Sequence, residues 1–292
     1  MSDYDWDNKI EYLRNTRDLY YNDDYLEFLV KTVWKITQPV NVVDYGCGYG
    51  YLGLKLLPLL PAGSTYTGID KGIELVNTAR EIFATLPFTT NFIVADLETL
   101  AIDRQYDLAV CHALLLHLSD AKKLLHKMIE CVMDEGRVIC FEPHWIANMS
   151  NYSLHGVDQS QVIRLGILQK LFEQDTKSNG KDGNIGIKIP EYLSEIGLTN
   201  VQCRVSDKVN FLDPNADRQK NQRLYNSLRE EGIGSFPGDE CKFIHNLMNR
   251  GLTESEAKSQ YEAELLFSKI FNEDSVLTYA PNLKISFGTV NR

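Results

Sequence analysis

The sequence predicts an α/β fold: a doubly wound, mostly parallel seven-stranded sheet. Three observations predict it. Strand-like and helix-like segments alternate from about residue 22 to residue 205. Four of the strand-like runs are continuously apolar rather than alternating, the pattern of parallel strands covered on both faces. A glycine-rich turn, "YGCGYG", separates the first strand from its helix, as in sheets wound by right-handed crossovers.

The elements follow in order. "DDYLEFLVKTVWKI" sets Tyr25, Phe28, Leu29, Val33 and Ile36 on one helical face, with Asn22 as the expected N-cap. It completes an N-terminal helical cap, residues 1–37. "VNVVDYG" is the first strand and "STYTGID" the second, joined by a short helix that ends near Pro58. "GIELVNTAREIFATL" carries Ile73, Val76, Arg80 and Phe83 at helical spacing. "TNFIVADL" and "YDLAVCHALL" are the third and fourth strands. Ser119 is expected to cap a helix with Leu124, Leu125, Met128 and Ile129 on its apolar face. "GRVICFEP" is the fifth strand, stopped by Pro143.

After it the rhythm breaks. Residues 144–188 are expected to be a loop and helix insertion, with one helix over "SQVIRLGILQKLFEQ" and a mobile, turn-rich "SNGKDGNIG". "IPEYLSEIGL" is a helix stopped at Gly197, and "TNVQCRVS" a sixth strand. Residues 216–274 read as entirely helical, with a capping box at Thr253 and Glu256. "LKISFGTV" is the last strand. The helical block is therefore an insertion before the final strand of a single domain, 1–292.

Composition narrows the function. Hydrophobic content of 43% is enough for a sizeable core, and a net charge of −10 disfavours a broad nucleic-acid surface, which needs clustered Lys and Arg. No nucleic-acid or membrane partner is expected. The longest apolar stretch, "YLGLKLLPLLPAG", is broken by Lys55 and Pro58 and is too short to span a bilayer. The six cysteines form no C-x-x-C pair, which suggests reduced structural thiols, a cytoplasmic protein and no metal site.

The chemistry gathers at strand ends. Glycines at 46, 48 and 50 let backbone approach a ligand, and the helix that follows presents free N–H groups. Gly48, Gly50 and Gly53 formally satisfy a dinucleotide fingerprint. Asp44, two residues before Gly46, would face a pyrophosphate badly. Asp44, Asp70, Asp96 and the pair Cys111-His112 end successive strands, and the carboxyl ends of parallel strands line one rim.

Here the sequence resembles a known family. "VVDYGCGYG" is similar to the first motif of class I S-adenosylmethionine-dependent methyltransferases, an acidic residue followed by G-x-G-x-G. "YTGID", "VADLE", "YDLAVCHALLLHL" and "MDEGRVICFEP" resemble the later motifs in order and spacing, over roughly residues 35–143. The resemblance implies a Rossmann-like methyltransferase fold whose last strand is antiparallel, with S-adenosyl-L-methionine as cofactor and a small-molecule methyl acceptor as partner. It implies cofactor contacts from Asp44, Gly46, Cys47, Gly48 and Gly50 in the first loop. Asp70 would meet the ribose hydroxyls, with Lys71 beside it. Asp96 would face the adenine amino group, with Ala95 and Leu97 near the ring, and Cys111 and His112 would line the pocket. A carboxylate beside this loop suits a cofactor with a sulfonium and an ammonium group and no pyrophosphate.

Alternatives stand beside these readings. Asp70 and Asp96 could each merely cap a turn, and His112 could be packing. N-terminal tyrosines Tyr12, Tyr20 and Tyr21 could close over the cofactor or be scattered surface. Glu142 and His144 follow the fifth strand directly and are the candidate catalytic residues, His144 as base with Glu142 orienting it. Against this, Glu142 could stabilise a turn and His144 pack in a loop. The rival functions are a Rossmann-type NAD-dependent oxidoreductase and a non-catalytic adenosylmethionine-binding protein. Side chains from 144–188 or 216–274 are expected to roof the crevice.

Overall fold

The computed structural model describes residues 5–100, 102–103 and 105–292. Strands β1 (Asn41–Tyr45), β2 (Thr65–Asp70), β3 (Thr89–Val94), β4 (Tyr106–His112) and β5 (Val132–Pro143) run parallel, and β7 (Thr199–Val205) and β10 (Leu283–Thr289) complete a seven-stranded sheet. The order is β3-β2-β1-β4-β5-β10-β7, and β10 is antiparallel to both neighbours, as the resemblance implied. The sheet reverses its winding between β1 and β4, which places the crevice over the glycine turn.

Helices cover both faces. They are α1 (Ile10–Thr16), α2 (Asp23–Phe28), α3 (Tyr51–Leu56), α4 (Ile73–Phe83), α5 (Ala121–Cys131), α6 (Trp145–Ser150), α7 (Gln159–Val162), α8 (Leu165–Asn179), α9 (Ile189–Glu195), α10 (Arg218–Glu230), α11 (Glu240–Asn249) and α12 (Glu254–Ile270). Two apolar layers result. Val42, Val110, Ile139 and Phe141 pack with α2, α3 and α4 on one face; Val43, Ala109, Val138 and Cys140 pack with α5 and α9 on the other. Neighbouring residues of one strand enter opposite layers, which is why these strands read as unbroken apolar runs.

Local chemistry corrects several expectations. Asp120, not Ser119, caps α5 through the Lys123 amide at 3.0 Å. The Asn22 side chain does not cap α2; its amide donates to Asp207, 2.7 Å away. The expected single helix over 160–174 breaks at Ile163–Arg164 into α7 and α8. The turn-rich 178–186 segment is packed: a side chain at Gly180 would meet the Ser119 backbone, and one at Gly186 the backbone of Glu142 and Pro143. The Thr253–Glu256 capping box is present, and Gly197 ends the segment after α9 with φ +92°. A second, three-stranded sheet of β6 (Tyr152–Leu154), β9 (Leu277–Tyr279) and β8 (Asn210–Leu212) was not expected. Its strands are three residues each, too short to carry a period.

Candidate active site

The first turn is shaped by its glycines. Gly46, Gly48 and Gly50 all have positive φ (+70°, +54° and +85°), a region open to glycine at no steric cost. The amides of Gly46 and Cys47 both bond to the Ile69 carbonyl at the end of β2, so the turn folds back on the sheet. A Cβ on Gly46 would strike Leu114, and one on Gly50 would strike Phe83. At Gly48 the nearest atom to such a Cβ is Leu13 Cδ1, 3.9 Å away, so this glycine faces the crevice.

Two carboxylates flank it. Asp70 accepts from the Gly48 amide through Oδ2 and from the Gly72 amide through Oδ1, each at 2.9 Å. Asp44 is buried, with Oδ2 bonded to the Tyr66 hydroxyl and Oδ1 without a partner. Burial pushes the Asp44 carboxyl up to about 7; the Tyr66 bond opposes this and the charge of Asp70 adds to it. Burial also raises Asp70, against the pull of the Gly72 and Gly48 amides.

His112, at the end of β4, is buried against the rings of Tyr21, Tyr51 and Phe141. Its Nε2 has no partner, and the Tyr21 hydroxyl beside it makes no hydrogen bond either. Burial, then the Arg17 guanidinium, holds His112 well below its usual pKa, so the ring is neutral at physiological pH. Asp44, Gly46, Cys47, Gly48 and His112 line one small cavity with Arg17, Tyr49 and Tyr51; Asp70, Gly46, Gly48, His112 and Leu114 line its neighbour with Trp6 and Arg17.

The remaining expected residues lie elsewhere. Cys47 also packs its sulfur toward Gly68. Lys71 is exposed, and Ala95 bonds its amide to the Asp70 carbonyl. Asp96 is exposed and accepts from the Glu98 amide at 2.8 Å, a turn-capping geometry; Leu97 lines a separate cavity of about 170 Å³ with Leu118 and Ser119. Cys111 is fully buried and points into the opposite apolar layer.

Glu142 is fully enclosed. Its Oε1 accepts from the amides of Leu114 and Leu115 at 3.0 and 2.9 Å, so it holds the turn after β4, where Ala113 has φ +50°. Burial raises Glu142 to about 7, against those amides. His144 is half-buried between Lys284 and Asp182, and does not line the cavities at the glycine turn. The orienting contact expected between the two is not made: Glu142 is bonded to the β4 turn instead.

The roof is also different. Among the described residues, the N-terminal segment supplies it through Trp6, Leu13 and Arg17, not the 144–188 or 216–274 insertions. Trp6 packs edge-on against His117 at 5.0 Å, and the buried Asp7 accepts from the Glu74 and Leu75 amides at the start of α4. The insertion buttresses this cap, because Tyr12 and Tyr20 both donate to Glu231 just after α10. Arg17, Tyr51 and Trp6 were missed as site residues. They sit in polar or mixed runs whose spacing carries no mark of a ligand; only folding brings them over β1 and β4.

The residues fit adenosylmethionine. The unpartnered Asp44 Oδ1 is a buried acceptor that a cationic group would satisfy, and Gly48 leaves open space where any other residue would put a side chain. Comparison with known proteins agrees. Residues 36–229 match a family model described as a methyltransferase domain. The chain is 31% identical over 101 residues to malonyl-[acyl-carrier protein] O-methyltransferase 1 of Ilyobacter polytropus, covering 35% of this chain and 37% of that one. It is 28% identical over 100 residues to the ubiquinone biosynthesis O-methyltransferase of Salmonella paratyphi A, covering 34% and 40%. The matches thus span about two-fifths of these relatives' length. In fold it is similar to the Haemonchus contortus phosphoethanolamine N-methyltransferase 2 bound to phosphomonomethylethanolamine and S-adenosylhomocysteine, with TM-score 0.54, 12% identity, and coverage of 100% of this chain and 59% of that one. The family match spans most of the chain and the sheet carries the expected order, so the chain belongs to the class I S-adenosylmethionine-dependent methyltransferases, whose cofactor is S-adenosyl-L-methionine.

Proposed function

We propose that the protein transfers the methyl group of S-adenosylmethionine to a small-molecule acceptor seated against His112 and Tyr51. The observation that carries this is a pair of buried polar atoms without partners on one crevice: Asp44 Oδ1 and His112 Nε2. When bound, the cofactor supplies an electrophilic methyl on a sulfonium that leaves as a neutral thioether.

The chain's own residues do the rest. Asp44 holds the cationic end in the space the Gly48 turn leaves open, and Asp70 offers a buried acceptor whose orientation the Gly48 and Gly72 amides set. Tyr21, Tyr51 and Phe141 enclose the His112 ring and exclude water from it. His112 is neutral, so its ring nitrogen can accept a hydrogen bond from a hydroxyl or amine acceptor and take its proton as the new bond forms; burial and the Arg17 guanidinium make it a weaker base than a free imidazole. This role goes to His112 ahead of His144 and Glu142 because it borders the glycine turn, whereas Glu142 is spent on the β4 turn. The relatives include O-methyltransferases and an N-methyltransferase, which leaves oxygen, nitrogen and carbon acceptors open.

The test is a panel of hydroxyl, amine and carbon acceptors read by release of S-adenosylhomocysteine. His112→Ala should lower kcat on a hydroxyl acceptor by roughly 10²–10⁴-fold while leaving the adenosylmethionine Kd within a few fold. Cofactor binding without turnover on any class would make the protein a non-catalytic adenosylmethionine binder.

A further inference from the structure

A second cavity, of about 280 Å³, opens where the two insertions meet, away from the glycine turn. Three parts of the chain build it: the segment after β5 with Tyr152, the turn after α10 with Phe236, and α12 with Gln260, Glu264 and Phe267. The walls are mostly aliphatic and aromatic, and Tyr152 stacks on Phe267 with ring centroids 5.3 Å apart. None of the lining residues is Lys, Arg or His.

Its unpartnered polar side-chain atoms are free to accept, while the Ser235 hydroxyl is spent on the Arg229 carbonyl. Gln260 is only 2% exposed, and its Oε1 has no partner while its Nε2 donates to Glu264 at 2.7 Å. The Tyr152 hydroxyl is buried and also unpartnered. The cations nearest this carboxylate's surroundings are committed elsewhere: Arg250 is held by Asp175 at 2.6 Å, and Arg229 donates to the Gly234 carbonyl. A half-buried carboxylate beside buried, unpartnered acceptors, with no cation on the walls, favours the entry of a positively charged donor.

We propose that this cavity binds a small organic ammonium compound with an apolar body of about one aromatic ring. An ammonium group carries three N–H donors, which match Gln260 Oε1, the Glu264 carboxylate and the Tyr152 hydroxyl. The faces of Tyr152, Phe236 and Phe267 add cation–π attraction, and the aliphatic walls take the body. Burial holds the Glu264 carboxyl above its ordinary range, against the Gln260 hydrogen bond and the charge of Arg250, which is itself bonded to Asp175. The site is carried by its own geometry and does not depend on the transferase reading.

The probes are 2-phenylethylamine, its neutral counterpart 2-phenylethanol and the anion 3-phenylpropionate, titrated without adenosylmethionine by calorimetry and ligand-detected NMR. The amine should bind at least tenfold more tightly than the alcohol, and the anion least. Glu264→Gln should reduce the amine's advantage to within threefold and leave the alcohol unchanged; Gln260→Leu should weaken the amine about fivefold. Thermal melts of both variants check folding. Equal binding of amine and alcohol overturns the proposal, as does amine binding that neither substitution alters.

Discussion

Asp44 has two oxygens with different fates: one takes the Tyr66 hydroxyl and the other takes nothing. Its carboxyl sits at about 7, so between roughly pH 4 and 7 the folded chain holds a proton that the unfolded chain has released. The sign follows. This group's contribution to stability is full below about pH 4 and is lost as pH rises to 7. A cationic ligand favours the ionised form, so adenosylmethionine should bind about tenfold more tightly at pH 8 than at pH 6, with proton release on binding below pH 7. Calorimetry in buffers of different ionisation enthalpy checks this. Asp44→Asn should flatten that dependence, and a variant that keeps the full slope would assign it to another group. Asp70 makes a different prediction. Removing its carboxylate in Asp70→Ala should weaken adenosylmethionine binding by about 1.5–3 kcal/mol, and it should lower Tm because the Gly48 and Gly72 amides lose their acceptor. Unchanged affinity would remove Asp70 from the site.

Elements decide access. The N-terminal segment with Trp6, α1 and Arg17 leaves cavities of only about 30 and 60 Å³ over the glycine turn, whereas small-molecule sites run to about 300 Å³ or more. Cofactor entry must therefore displace this segment. Its Trp6 end is held by the Trp6–His117 ring contact and the two amides that Asp7 takes at the start of α4, and its α1 end by Tyr12 and Tyr20 on Glu231. Adenosylmethionine should shift Trp6 emission, and Trp6→Phe should lose that signal while Trp34 and Trp145 remain. Binding proven by calorimetry with no change in the wild-type spectrum would mean that the cap stays where it is. The sequence suggests a helical cap at 1–37, with Tyr12, Tyr20 and Tyr21 as one way to close over the cofactor, yet points to the insertions for the roof. The reason is physical: the polar run "RNTRDLYYND" shows no amphipathic stripe, and its packing partner is a rim assembled from β1, β2 and β4.

The molecule as a whole ties the cap to the insertion through one carboxylate. Glu231 accepts from Tyr12 at 3.3 Å and from Tyr20, and burial raises its carboxyl to about 7. Glu231→Ala should leave two buried hydroxyls without an acceptor, loosen α1 against α10 and speed amide hydrogen exchange at residues 10–20 at least tenfold. Exchange confined to residues near 231 would mean that the two parts are independent. Among the described residues no helix is long and apolar enough to cross a membrane. The sequence by itself determined the sheet, because the parallel strands other than the edge strand β3 are buried on both faces and so must be apolar, and because glycine alone turns at Gly46, Gly48 and Gly50 without strain. It also determined that Asp44, Asp70 and His112 share a rim, since strand ends in a parallel sheet are neighbours. Only the tertiary structure decided that Glu142 turns inward to the Leu114 and Leu115 amides, that Asp96 caps its own turn, and that Arg17 and Trp6 complete the crevice. Those outcomes depend on which unpaired backbone groups and rings lie within a few ångströms, and such neighbours come from segments distant in the chain.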